Sequence, residues 1–245
     1  MVFASDPSDA IRQAGPDGVF GAGLTAMPVT CHAPDRLIVD LTRLEALQGI
    51  VVDDNAIRIG AVTTLEAMRR DAAIRLHFPE LARLLPYVAS VQIRNRGTIG
   101  GNIAWKNGDV VPVLIARRAR LVGPLLDMPV EDYDTGLITE IVIPIQNVIG
   151  VAEKVGHRAA FSPTLVTVAA TVSIAQRRIN DCSMAIGGGA PAFRLARAEQ
   201  SLLGHDPDAI DWQALQAQVT EEIGARHDAR VAANVLVHLL KEKLS

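Results

Sequence analysis

Cysteine is scarce in this chain: its 245 residues include two, Cys31 and Cys182, and neither has a second Cys or a His at metal-ligand spacing. That excludes a zinc site or an iron–sulfur cluster built by this chain alone, and it fits a reducing compartment. A basic excess is missing too. Lys and Arg number 24 against 27 Asp and Glu, a net charge of −3, so nothing points to nucleic acid or to an anionic membrane surface. The apolar runs fall far short of the ~20 residues that a membrane span requires. The start, MVFASDPSDAIRQAG, has no cationic leader ahead of an apolar core, so no secretory signal is expected and the cytoplasm is the default compartment. Internal repeats and low-complexity tracts are absent as well.

What remains is the profile of an ordinary globular protein, 49% hydrophobic and 21% charged, with 26.2 kDa in which to bury a core. That mass allows one large domain or two small ones, and two are expected. DGVFGAGLTAMPV reads as a short strand entering a small-residue turn, and RLIVDLTRL as a second strand. AIRIGAVTTLEAMRRD begins as a strand through Gly60, after which Thr63 and Glu66 have capping-box spacing for a helix. Pro79 fits the first turn of a helix over PELARLLPYVAS. GLITEIVIPI reads as a strand ending at Pro144. TLVTVAATVSIA and DCSMAIGGGA are β-type runs. Three helices are expected to close the chain, near Ala192 to Leu203, Ala209 to Ile223 and Val231 to Leu244. Strands followed by helices indicate an α+β domain distinct from the first, with the boundary near residues 144 to 150.

Two glycine-bearing stretches carry the chemistry: GAGLTA at 21 to 26 and TIGGN at 98 to 102. Neither gives the P-loop signature, because no Gly-Lys-Ser/Thr follows, and neither gives the Gly-x-Gly-x-x-Gly pattern. Successive backbone N–H groups at small-residue turns form a positive concavity, and two such turns can grip a diphosphate from both sides. Each is equally readable as a tight turn. Elsewhere, Arg94, Arg96, Arg117, Arg118 and Arg120 form a basic density, expected to be a solvated surface, with a docking face for an acidic redox partner as the alternative. His157 and His205 have no partner at ligand or triad spacing and read as structural, and no Ser or Cys sits in a nucleophile motif.

VASVQIRNRGTIGGNIA followed by GDVVPVLIA resembles the signature of the FAD-binding medium subunit of molybdenum hydroxylases, the xanthine dehydrogenase and carbon monoxide dehydrogenase family. RLIVDLTRLEALQGI, AIRIGAVTTLEAM and ITEIVIP match in order and spacing, and EKVGHR with MAIGGGAPAFRLARAE resembles the family's C-terminal domain. The resemblance covers nearly the whole chain. It implies a two-subdomain FAD-binding domain of the PCMH/vanillyl-alcohol-oxidase type over 1–146, divided roughly as 1–50 and 51–146, and an α+β C-terminal domain of sheet plus helices over 147–245.

By that resemblance Ala22, Gly23, Leu24, Thr25 and Ala26 form the first pyrophosphate loop, and Thr98, Ile99, Gly100, Gly101 and Asn102 the second. Gly100 and Gly101 would let backbone touch phosphate oxygens, and Asn102 would add an amide donor. Asn102 alone reads as a turn-stabilising side chain. Asp109 matches an acidic residue that accepts from sugar-type hydroxyls, Ile138 an aliphatic residue packed on the flavin ring, and Lys154 a lysine near the cofactor. Taken singly, these are a helix cap, a core residue and a solvated lysine. The resemblance implies FAD as cofactor and, as partners, a molybdopterin-binding large subunit and a 2Fe-2S small subunit, with the external electron acceptor left open. The chain departs from the family in its first loop, where one glycine is displaced and the usual polar pair is altered. It is also shorter between Ala104 and Asp109, its hairpin from Leu121 to Gly136 is trimmed, and it lacks an acidic residue after Lys154. Those departures keep two other readings open: a non-catalytic assembly or maturation subunit that retains the fold, and a module for another diphosphate ligand.

Overall fold

The computed structural model describes residues 1–26, 36–158 and 163–244. Cys31 and the end of the first apolar stretch, 27–29, lie outside them. Among the described residues the strands form three sheets. The first is parallel and small: β1 (Val2–Phe3) and β2 (Val19–Gly21) flank β3 (Ile38–Asp40). The helix Pro7–Ala14 packs on it, buries Ala10 and Ala14, and starts at Asp6, whose side chain accepts the Asp9 N–H.

The second sheet has the order β4 (Ile50–Val52), β5 (Ala56–Gly60), β8 (Glu140–Pro144), β6 (Arg120–Gly123), β7 (Leu126–Pro129), antiparallel throughout. Its β6–β7 ribbon is the expected hairpin, and β8 ends at Pro144 as its sequence indicates. Between β5 and β6 run short helices, Leu65–Arg70, Ala72–His77, Pro79–Leu84, Val91–Arg94, Ile99–Ala104 and Val111–Ala116.

Period-two alternation in the third sheet shows why its strands are so apolar. That sheet is antiparallel, β9 (Ile149–Gly156), β10 (Thr164–Ala175), β11 (Arg178–Gly187), β12 (Phe193–Arg194). Val166, Val168, Ala170 and Val172 join one core with the helices Ala196–Leu202, Trp212–Ile223 and Ala229–Leu244. The alternate residue Ala169, with Ala185, joins the core around the helix Val111–Ala116. All six residues of that helix are buried because it lies between the second and third sheets. Polar groups on this face meet the carbonyls at its C-terminus: Thr171 Oγ1 donates to Ala116 O at 2.8 Å, and Ser183 Oγ donates at 3.5 Å to Ile115 O, which also accepts the Arg118 N–H at 2.8 Å.

Three expectations shift. The helix after β5 is capped by Thr64, which accepts the Ala67 N–H at 3.1 Å, while Thr63 Oγ1 instead bonds the Gly49 N–H and carbonyl. Glu66 closes no capping box because guanidinium groups compete for it: Oε1 accepts from Arg69 and Arg70, and Oε2 from Arg94 at 3.1 Å. The basic density is therefore not all solvated surface. Arg94 and Arg117 are 5% and 2% exposed, and Arg117 is clasped by Glu80 at 2.7 and 2.9 Å. The last helices begin at Ala196, Trp212 and Ala229, the second of them after Asp211, which accepts from the Gln213 and Ala214 N–H groups.

Candidate functional site

TIGGN is the start of a helix. Thr98 is its N-cap: its hydroxyl accepts the Gly101 N–H at 3.1 Å and donates to Ala22 O at 3.5 Å, tying the helix to the first loop. The other amides here are engaged inside the protein as well. Ile99 N–H donates to Thr63 O at 3.0 Å, Gly100 N–H to Ala61 O at 2.9 Å, and Asn102 N–H to Thr98 O at 2.9 Å. The expected ring of free amides is thus absent from this stretch; its glycines serve contact. A Cβ on Gly100 would stand 2.8 Å from Ala61 O, and one on Gly101 would stand 3.0 Å from Thr98 Oγ1 and 3.4 Å from Ala22 O.

Free donors lie on the first loop. Gly23 and Leu24 both have positive φ, +69° and +53°, which turns the chain sharply after β2. Among the described residues no acceptor in the protein meets the Leu24 or Thr25 N–H. Glycine at 23 is required twice over: by its φ, and because a Cβ would stand only 1.9 Å from Arg96 O. The two glycine stretches are in contact across this point.

Between them opens a cleft of about 610 Å³, lined by Ala22, Leu24, Thr25, Ala26, Thr98, Gly100, Gly101, Asn102, Asp109 and Ile138 among others. Ten expected site residues from four separate chain segments therefore share one cavity. Gly23 lines a neighbouring cleft instead, Ile99 points into the core at 0% exposure, and Lys154 pairs with Asp109. Asn102 Oδ1 accepts the Val110 N–H at 3.3 Å, which leaves its amide N–H groups for a ligand.

Asp109 is no helix cap: the residue before the helix Val111–Ala116 is Val110, with no side-chain cap bond. Its Oδ1 accepts from Thr164 Oγ1 at 2.6 Å and its Oδ2 lies 3.0 Å from Lys154 Nζ, which also donates to Tyr87 O at 3.1 Å. The Lys154 side chain is accordingly largely covered, 8% exposed, and not solvated.

Sequence reasoning missed Tyr133, Trp105 and the apolar wall of Leu65, Val88 and Ile93, all of which line the cleft. Tyr133 donates to Gly136 O at 2.9 Å. Burial, and then the Asp134 carboxylate, push its hydroxyl up to about 12, so it stays protonated at neutral pH. Its place after the β6–β7 hairpin was the only available signal, and a weak one. Groups of acidic, His and Cys side chains able to hold a metal ion are absent among the described residues, where no helix is long and apolar enough to cross a membrane.

The family of FAD-binding domains in molybdopterin dehydrogenases matches residues 11–144. The chain belongs to this family. Its cofactor is FAD. Among relatives, it is 26% identical to the xanthine dehydrogenase FAD-binding subunit of Escherichia coli O157:H7 over 86% of this chain and 80% of that protein. It is 27% identical to the nicotine 6-hydroxylase medium subunit of Paenarthrobacter nicotinovorans, over 90% and 83%. Its fold matches a chain in the structure of carbon monoxide dehydrogenase from Hydrogenophaga pseudoflava with a TM-score of 0.83 and 23% identity, covering 99% of this chain and 94% of that one. This member of the family keeps an α+β FAD-binding fold, and its cleft suits a long ligand with an anionic middle: free amides and an amide side chain at the crossing loops, apolar walls beyond them.

Proposed function

We propose that this chain is the FAD-carrying electron-transfer subunit of a cytoplasmic molybdenum hydroxylase complex. A molybdopterin-binding large subunit would oxidise the substrate, and a 2Fe-2S small subunit would relay single electrons to this chain, which would pass them to an external acceptor. Residues 1–146 would carry the FAD-binding domain, in subdomains of roughly 1–50 and 51–146, and 147–245 the C-terminal domain. The observation that carries this reading is the single cleft in which both glycine stretches, Asp109 and Ile138 meet, in a chain whose two cysteines cannot hold a cluster of their own.

Bound FAD supplies reversible two-electron chemistry in steps of one or two electrons; the protein binds and orients it. Leu24 and Thr25 would present backbone N–H groups, and Asn102 its side-chain amide, to the diphosphate. Gly100 and Gly101 would give the close approach, Asp109 would accept from ligand hydroxyls, and Ile138 and Tyr133 would wall the ring while excluding water. Lys154, 3.0 Å from Asp109 Oδ2, would hold that carboxylate in position.

Purification tests the reading. The chain should carry flavin absorbance and release FAD on denaturation, and its flavin should be reduced by substrate only when partner subunits are added. A colourless chain that takes up no FAD yet still assembles with its partners would favour the assembly-subunit reading, and substrate turnover by the isolated, loaded chain would overturn the division of labour.

A further inference from the structure

The peptide groups of Gly23 are held from both sides. Its N–H donates to Thr42 Oγ1 at 3.2 Å, and its carbonyl accepts from Arg96 Nη2 at 3.3 Å. Thr42 is itself fixed: its hydroxyl donates to Asp40 Oδ1 at 2.5 Å, and the same oxygen accepts the Thr42 N–H at 2.8 Å. Asp40 is 7% exposed and ends β3, in parallel register with Gly21 of β2. The anchor is thus a sheet position and not another loop.

A hydroxyl has one proton. Because Thr42 gives it to Asp40, only lone pairs remain toward Gly23, and the hydroxyl is held as the acceptor that an N–H needs. This matters at the next residue. Leu24 follows Gly23 into the left-handed region, which a side chain with a Cβ leaves unless its neighbours over-determine it. That turn aims the Leu24 and Thr25 N–H groups. None of Asp40, Thr42 and Arg96 lines the FAD cleft; all three line the neighbouring cleft, which shares Leu24 and Thr98 with it.

We propose that Asp40 and Thr42, with Arg96 opposite, are positioning residues that lock the Gly23–Leu24 turn so that its amides are pre-aimed at the diphosphate of a dinucleotide. The proposal rests on the FAD reading above and adds how the first loop, with Leu24 in the left-handed region, keeps its donors in place.

The test uses the full chain stripped of cofactor, titrated with FAD by flavin fluorescence, with thermal unfolding of each cofactor-free variant. Thr42→Val keeps the shape and deletes the acceptor; it should weaken FAD binding about tenfold, the loss of one hydrogen-bonded constraint. Thr42→Ser restores the hydroxyl and should stay within about twofold of wild type, with both variants folding like wild type without cofactor. Arg96→Gln, which frees the Gly23 carbonyl, should weaken binding in the same direction, and it carries the test should Thr42→Val fail to fold. Wild-type affinity in Thr42→Val, or equal losses in the Val and Ser variants, overturns the lock while leaving the FAD reading intact. A wild-type chain that binds no FAD overturns both.

Discussion

Lys154 Nζ lies 3.0 Å from Asp109 Oδ2, with the two side chains 8% and 10% exposed. This ion pair ties strand β9 of the third sheet to the loop ahead of the helix Val111–Ala116. Truncating one partner of such a pair leaves the other charge buried and unpaired, which costs about 3 to 5 kcal/mol when burial is complete. Asp109→Ala should therefore destabilise the cofactor-free chain by about 3 kcal/mol in urea unfolding, besides releasing FAD. The better probe of ligand contact is Asp109→Asn with Lys154→Met, which removes both charges together and keeps an acceptor for Thr164. That double variant should recover most of the stability, and any remaining FAD deficit measures the contact with ligand hydroxyls. Full FAD affinity in a stable double variant would take Asp109 out of the site.

The contrast with a single-residue reading shows what the sequence can carry. Asp109, Lys154 and Asn102 look like a cap, a solvated lysine and a turn residue when taken singly, and a family resemblance alone puts them near one ligand. The alternation in Thr164–Ala175 and the Pro79 helix start are local, and both are legible. The engagement of the Ile99 and Gly100 amides is not, because their acceptors, Thr63 and Ala61, lie more than thirty residues away in sequence. Thr64 capping in place of Thr63 turns on a nearer tertiary bond: Gly49, 14 residues back in the chain, claims the Thr63 hydroxyl.

Acid sensitivity should centre on Glu66. Hydrogen bonds from Arg69 first, then from Arg94 and Arg70, outweigh burial and bring its carboxyl down from 4.5 to about 2. A depressed folded-state value means that its stabilisation is fully present above the ordinary carboxylate range and fades as pH falls from 4.5 toward 2. Urea midpoints across that window should drop for wild type, and less steeply for Glu66→Gln. Parallel slopes would show that the cluster contributes nothing to the acid transition.

The Glu80–Arg117 pair is more deeply buried, 1% and 2% exposed, and a Cβ on Gly150 would stand 2.4 Å from Glu80 Oε2. It joins the helix Pro79–Leu84, the end of the helix Val111–Ala116 and β9. Arg117→Met alone should cost about 3 to 5 kcal/mol by stranding Glu80, whereas Arg117→Met with Glu80→Leu should be close to neutral. Calorimetry on the single and double variants checks this. Additive losses would mean that packing, not charge, sets the cost.

Gly101 and Gly23 separate the two uses a glycine can have at this site. Gly101 is helical, with no positive φ, so a left-handed turn is not its reason for being glycine. A Cβ there meets only the Thr98 hydroxyl and the Ala22 carbonyl at 3.0 and 3.4 Å, while helix propensity gains up to about 1 kcal/mol on losing the glycine to alanine. Gly101→Ala should leave the cofactor-free chain near wild-type stability, and Gly101→Val, whose branched side chain reaches into the cleft, should abolish FAD uptake. Gly23→Ala meets a carbonyl oxygen at 1.9 Å with φ at +69°, so it should cost the cofactor-free fold well over the roughly 1 to 2 kcal/mol of a forced left-handed residue. Unfolding without cofactor isolates these costs, since ligand linkage cannot contribute. Should cofactor-free Gly101→Val prove as unstable as Gly23→Ala, both glycines exist for the packing of loop on loop. The close approach to a diphosphate at Gly101 would then have to be given up.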